Sequence, residues 1–492
     1  MSKRITLNEL IGRGPVESQT FSAQAAERAR LPQQNVFADE TGVHVYGELR
    51  LTLNLSAAEE TKDAQRYLQI LQEYAGVAAC FAEKVGAQLL EVQGERIHLL
   101  LPCMVPDANS VTKLLGMCAS LARVMYARIQ SRAGDAWQGF AMAADHGRAI
   151  LIKSGDGASG SLVSLGPAAN APAKQLSRTP ARHLSLRQPL KALVGAGTDT
   201  GWMTIDLVEL PEYLEKYADR VFTDDLTTAA SAIVESFRAA SVITANEQYF
   251  DVSHTTSVEQ PLKVQVICLR ADLDGFSAAV QAAFSDGEPA IRVLVDQFFG
   301  VMRYVEQYCA SIKRKVISLP WAGDCSNHLF FPLMGESYET ARQYLPATAA
   351  AEWHDQISEK VFGKVTWAVG VAGGDSEEGS NGFVLVAPIK TGQRDFLVAA
   401  GWGVKRSLDA QEADGVKGKD SVIPVEDYGA LDSVWQDQFR ELDSRFWISR
   451  GLSMSKIRNA TIESAKRTPE IYVPQVARPV PSPRPHWNHE RA

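Results

Sequence analysis

Long apolar runs are missing from this chain. No stretch approaches the roughly 20 apolar residues that a membrane-spanning helix needs. The opening MSKRITLNELIGRG has no apolar leader core either, so a cytoplasmic location is expected. Paired cysteines are also lacking. Cys80, Cys103, Cys118, Cys268, Cys309 and Cys325 sit singly in apolar runs without a Cys-x-x-Cys pair. That spacing excludes a disulfide framework and a thiolate metal site and leaves them as reduced core residues. Nor is there a positive excess: 50 Lys and Arg stand against 58 Asp and Glu, for a net charge of -8. Such a surface does not attract a nucleic-acid backbone or an anionic membrane.

What is present is enough for two cores. A chain of 492 residues is too long for one ordinary domain. Residues 1–38 are polar and weakly periodic and read as a loosely docked arm. In a first block, 39–190, a strand with alternating Leu49, Leu51, Leu53 and Leu55 precedes a helix bearing Leu68, Leu71, Ala75, Ala78, Phe81 and Val85. The runs AQLLEV and IHLLLP, split by Gln93, Gly94, Glu95 and Arg96, predict strand, tight turn and strand. The helix LLGMCASLARVMYARI and the strand segments FAMAADHGRAILI and GSLVSLG complete the block.

A second block, 259–430, repeats the order. The strand VQVICLR leads to a helix with Ile291, Leu294, Phe298, Met302, Val305, Cys309 and Ile312 on one face. The run KVISLPWAGDCSNHLFFP then predicts strand, turn and strand, and VTWAVGVAG, GFVLVAP and DFLVAAG predict further strands. The pattern repeats with weak residue identity, which indicates a duplicated α+β fold. Residues 191–258 read as a helical connector, 431–477 as a C-terminal amphipathic helix built on SVWQDQFRELDSRFWISR, and the Pro- and Arg-dense 478–492 as a disordered tail.

The chemistry concentrates in the second block. A strand ends in Arg270, Ala271, Asp272, Leu273, Asp274, Gly275, Phe276 and Ser277, and a later hairpin turn contains Ala322, Gly323 and Asp324. This layout puts Asp272 and Asp324 on neighbouring strand ends, where hard oxygen ligands can hold Mg²⁺ or Mn²⁺. The Gly275-Phe276-Ser277 turn at a helix start offers N–H groups to phosphates. Singly, Asp272 would cap a helix and Asp324 would fill a turn; the pair in this order carries the metal reading.

This segment resembles the metal-binding pattern of class III nucleotidyl cyclases, a strand ending in Asp before Gly-Phe-Thr/Ser and a second Asp after Gly in a hairpin. The resemblance implies Asp272, the adjoining Leu273 and Asp324 as the metal-binding set for two Mn²⁺ or Mg²⁺ ions, with Asp274 spare. In the first block, SLGPAANAPAKQL resembles the family's transition-state motif, with Asn170 at the Asn position after Gly166 and Lys174 in place of Arg. AADHGRAILI resembles the family's Gly-x-x-x-Gly hairpin. Lys405 stands at the Asn position of the second block. The first block's turn has Glu95, but its first strand is expected to carry no acid where Asp272 falls.

The resemblance implies two ferredoxin-like βαββαβ domains paired head to tail in one chain, a monomer with an intrachain pseudodimer. Attack of a ribose 3′-hydroxyl on the α-phosphorus would release pyrophosphate, with Asn170 orienting the ribose and Lys174 stabilising charge on the α-phosphate. Glu91 and Val163 fall at the base-reading positions. A carboxylate accepts an N–H from guanine, uracil or cytosine, so Glu91 excludes little. Catalytic domains alone and an eroded purine pocket resemble the pyrimidine cyclases of Pycsar antiphage systems, which implies UTP as favoured substrate and a separate cyclic-nucleotide-activated effector as partner. A purine cyclase, a catalytically dead nucleotide-binding pair and a polymerase-like relative stay open, the last opposed by the absence of a GG(D/E)EF turn.

Overall fold

The computed structural model describes residues 3–12, 36–52, 61–153, 162–195, 201–212, 214–215, 243–244, 261–312, 314–357, 360–373, 383–391, 395–456 and 458. Largely apolar strands, buried on both faces along most of their length, build its first sheet. The strands are β1 (Lys3–Ile5), β2 (Val36–Leu51), β3 (Gln88–Gln93), β4 (Arg96–Pro102), β5 (Trp137–Lys153), β6 (Leu162–Leu165), β7 (His183–Leu186) and β8 (Met203–Asp206). Their order is β3-β4-β2-β5-β7-β8, with β1 beside β2 and β6 beside β5. Helices α1 (Leu7–Gly12), α2 (Thr61–Val85), α3 (Ala108–Val124) and α4 (Pro167–Leu176) accompany it. Asp107 caps α3 by accepting the Ser110 N–H at 2.8 Å.

The second block repeats these pairings. Its strands are β9 (Ile243–Thr244), β10 (Leu262–Gln265), β11 (Ile267–Asp274), β12 (Val316–Ser318), β13 (Cys325–Phe330), β14 (Thr366–Ala372), β15 (Phe383–Lys390), β16 (Asp395–Gly401), β17 (Asp420–Pro424), β18 (Arg440–Glu441) and β19 (Phe446–Arg450). They form a sheet ordered β12-β13-β11-β14-β17-β19-β18 and another ordered β16-β15-β10-β9. Where β2 and β5 each run unbroken, the second block uses β10 then β11 and β14 then β15. Its longer helices are α5 (Phe276–Asp286), α6 (Glu288–Ser311), α7 (Leu345–Ile357) and α8 (Trp402–Gln411).

The two blocks complete each other's cores. Leu385, Ala387 and Ile389 of β15 and Phe396, Val398 and Ala400 of β16 belong to the apolar cluster of the first block, with α2 and α3. In return, Ile150 and Ile152 of β5 and Val163 and Leu165 of β6 belong to the cluster of the second block, with α6 and α7. Each block thus lends a two-stranded hairpin to the other.

Four expectations change. Residues 3–12 are more than a loose arm: β1 pairs parallel to β2, and Ile5, Leu7 and Leu10 are buried. The segment AADHGRAILI contains no turn, because β5 runs through it paired with β2 from end to end. β8 extends the first sheet into the stretch read as connector, whose two expected helices lie almost wholly outside the described residues. The expected C-terminal amphipathic helix is instead a short turn of helix at 433–436 followed by β18 and β19. There Phe446 and Ile448 are buried at period two, and the Asp443 carboxylate accepts the Arg445 and Phe446 N–H groups at 2.7 and 3.0 Å to set the turn. Leu53, Leu55 and the tail 478–492 lie outside the described residues.

Candidate functional site

Alternation along β11 sends Leu269, Ala271 and Leu273 into the core and leaves Arg270, Asp272 and Asp274 on the other face. Asp272 lies opposite Cys325 in the β11–β13 pair. Asp324 immediately precedes Cys325 in a two-residue turn closed by Ala322 N–H to Cys325 O at 2.9 Å and its reciprocal at 3.0 Å. Gly323 holds that turn at φ 61°, a conformation a side chain resists. The two carboxylates therefore meet at adjacent strand ends. Burial, with the Asp272 charge beside it, pushes the Asp324 carboxyl up to about 7. Burial likewise raises Asp272, against the opposing pull of Arg270 and Lys174.

Two half-buried carboxylates held above their ordinary range despite the nearby charges of Arg270 and Lys174 make an electrostatic state that a divalent cation would relieve. Among the described residues no group of three or more His, Cys, Asp or Glu gathers, so an ion here would take its remaining ligands from main chain, water and phosphate oxygens, as Mg²⁺ characteristically does. The Leu273 side chain is buried, leaving only its main chain for such a role. Asp274 accepts the Gly418 N–H at 3.0 Å. Arg270 donates to Asn327 Oδ1 at 3.3 Å, and its charge reaches both aspartates.

Gly275 adopts φ 87° at the start of α5, and no side chain caps that end. Phe276 is buried against Phe298 and Phe362, ring centroids 5.1 and 5.9 Å away, so it offers the loop only its main chain. Ser277 is met from the other block: Lys174 Nζ of α4 donates to Ser277 Oγ at 3.2 Å. Asn170 lies one helical turn before Lys174 on the same face of α4, half-buried.

Glu91 on β3 is 6% exposed and bonded by the Gln93 carboxamide; burial pushes its carboxyl up to about 8. Across from it His98 stacks on Tyr46 at 4.1 Å and bonds His44 at 3.1 Å. Val163 faces the second block's core, while its neighbour Ser164 stands 3.5 Å from His98. The polar group that β6 brings near Glu91 is thus the serine.

The first block does carry an acid at the position of Asp272. Glu48 of β2 pairs with Arg96 of β4, as Asp272 pairs with Cys325, and Glu95 precedes Arg96 in the Gly94 turn. The acid-Leu dipeptide Glu48-Leu49, matching Asp272-Leu273, was the available signal. Here Arg96 Nε bonds Glu48 Oε1 at 2.6 Å, so a guanidinium supplies the counter-charge. Lys405 of α8 pairs with Asp409 at 2.9 Å. Glu412, after α8, is a further acid that sequence reasoning missed; its charge acts on Asp272 and Arg96 alike.

No family model matches the chain, and no curated protein matches it. Solved structures do. A class III adenylyl cyclase-like ATP-binding protein from Pseudomonas aeruginosa matches 94% of this chain and 100% of its own at 17% identity, with a TM-score of 0.66. The adenylyl cyclase CyaB from P. aeruginosa covers 38% of this chain and 94% of its own at 13% identity, TM-score 0.28. The guanylyl cyclase Cya2 covers 35% and 94% at 14% identity, TM-score 0.28. Over nearly its whole length, this chain has the mixed α+β fold of a class III cyclase-like protein.

Proposed function

We propose that the chain is a nucleotidyl cyclase whose two ferredoxin-like domains pair head to tail, converting a nucleoside triphosphate, UTP by preference, to a 3′,5′-cyclic nucleotide and pyrophosphate. The observation that carries this reading is the half-buried Asp272–Asp324 pair of one block lying within the field of Lys174 from the other, which also bonds Ser277 of the adjoining turn. Asp272 and Asp324, with the Leu273 main chain, would hold two Mn²⁺ or Mg²⁺ ions, which when bound lower the pKa of the 3′-hydroxyl and neutralise the triphosphate. The main-chain N–H groups of the Gly275-Phe276-Ser277 turn bind phosphate oxygens. Asn170 orients the ribose, and Lys174 meets charge growing on the α-phosphate. The 3′-oxygen forms the new bond to the α-phosphorus as the bond from the α-phosphorus to the bridging oxygen breaks, pyrophosphate leaves with that oxygen, and the hydroxyl proton passes to water.

Glu91, whose burial favours the protonated carboxyl at neutral pH, presents an O–H donor beside a C=O acceptor to the base, a pairing open to the adjacent N–H and C=O of uracil and of guanine alike. The preference for UTP comes from the likeness to pyrimidine cyclases. The product would act on a separate effector protein in antiphage defence. A second reading, an ATP-binding pair without turnover, is favoured by the Pseudomonas neighbour, which is described as cyclase-like and ATP-binding. Mass identification of the product formed from the four triphosphates with Mn²⁺ separates them. The cyclase reading expects a cyclic pyrimidine nucleotide, at least about a hundredfold less with Asp324→Ala and about tenfold less with Lys174→Ala. A purine product would reassign the base, and nucleotide binding without any product would establish the silent pair.

A further inference from the structure

A cleft of about 370 Å³ opens at the opposite end of α4 from Lys174, walled by Asp145, Gly147 and Arg148 of β5, Ala168 of α4, Arg187 after β7 and Phe284 of α5. Its floor exists because β5 changes partner. β7 pairs with β5 only as far as Ala144, and the pairing with β6 begins at Ile150, so residues 145–149 of β5 have no strand on that edge. The cleft lies outside the Asp272–Asp324 pair, yet two helices connect them. Ala168 is in the first turn of α4 and Lys174 in its last; Phe284 is in the last turn of α5 and Ser277 in its first. The helices that meet through Lys174 and Ser277 at one end frame the cleft at the other.

The charges in the cleft are not all satisfied. Arg148 is closed off by Asp39 at 2.6 Å and Glu288 at 2.5 Å. Arg187 spends one N–H on Asp145 at 3.3 Å, its side chain is 44% exposed, and among the described residues its other guanidinium donors have no acceptor. A guanidinium with a free donor fork suits a planar oxyanion. Ala168 and the half-buried Phe284 ring give the same cleft an apolar wall.

We propose that this cleft is an effector site for a small molecule joining an oxyanion, carboxylate or phosphate monoester, to a flat apolar body, with Arg187 binding the oxyanion and Phe284 the body. Seated between the first turn of α4 and the last turn of α5, it would shift the contact of Lys174 with Ser277 at the opposite end of the same two helices. Binding is independent of the cyclase reading; only an effect on turnover rests on it.

Calorimetric titration of the full chain with benzoate and with phenyl phosphate tests the site and distinguishes the two oxyanions. One-site, sub-millimolar binding of at least one probe is expected, weakened about tenfold by Arg187→Gln and by Phe284→Ala, and unchanged by Asp324→Ala. Should Arg187→Gln unfold, the half-exposed Phe284→Ala variant carries the comparison alone. Amide exchange in α4 and α5 should slow when the probe binds. No binding by either probe, binding indifferent to Phe284→Ala, or binding lost with Asp324→Ala each overturns the proposal.

Discussion

Glu91 and Asp324 are acids whose surroundings favour the proton. For Glu91, burial pushes the carboxyl up to about 8, well above the ordinary glutamate range. A folded-state value above the unfolded one means that the group's contribution to stability is complete in acid and is lost as pH rises through about 8. Glutamine keeps the shape and stays neutral. Glu91→Gln should therefore melt with the wild type at about pH 5 and above it at about pH 9, by at least about 1 kcal/mol, since a tenfold change in proton affinity corresponds to about 1.4 kcal/mol. Melting curves across that range check it; parallel curves would mean that Glu91 is ionised in the fold. Because a carboxamide also pairs one donor with one acceptor, Glu91→Gln should retain nucleotide affinity where Glu91→Leu loses it.

At the level of elements, α8 is seated by an absence of side chain. A methyl at Gly370 of β14 would run into the Ser407 carbonyl, and one at Gly403 of α8 would stand 2.7 Å from the Gly373 carbonyl. Gly370→Ala should cost about 1–3 kcal/mol by overpacking, read as a lowered urea midpoint, whereas the same change at Gly300, whose methyl would meet nothing, should leave it unmoved or raised. Such close approaches are invisible in sequence, where both are simply glycines. What sequence does carry is periodicity over long segments, and so α2, α6 and the Gly94 and Gly323 hairpins were legible. Short segments were not: Trp435, Phe439, Leu442 and Phe446 recur at helical spacing, and only the pairing with β17 shows that 446–450 is a strand. Asp272 and Asp324 could be read because glycines mark the turns near them, Gly323 directly before Asp324 and Gly275 three residues after Asp272. Glu48 escaped although its acid-Leu dipeptide was in view, because the register that pairs it with Arg96, and so sets it at the place of Asp272, comes only with the folded sheet.

For the whole molecule, the exchanged hairpins decide stability. Phe396 belongs to the second block by sequence but is 1% exposed in the apolar cluster of the first. Phe396→Ala should cost about 3–5 kcal/mol and lower the melting of both blocks together in a single calorimetric transition. Two separated transitions, with only one displaced, would show that the blocks fold independently. Residues 261–456 expressed alone should be poorly soluble, since β15 and β16 would expose the face that α2 and α3 normally cover.

The loan of a hairpin in each direction also bears on abundance. When complementary halves are separate molecules, the population of assembled pairs falls with the square of their concentration, and identical halves compete by pairing with themselves. Here each half meets its counterpart at an effective concentration set by the tether, so the assembled fraction does not fall on dilution. The output of a cell holding very few copies would scale in direct proportion to their number.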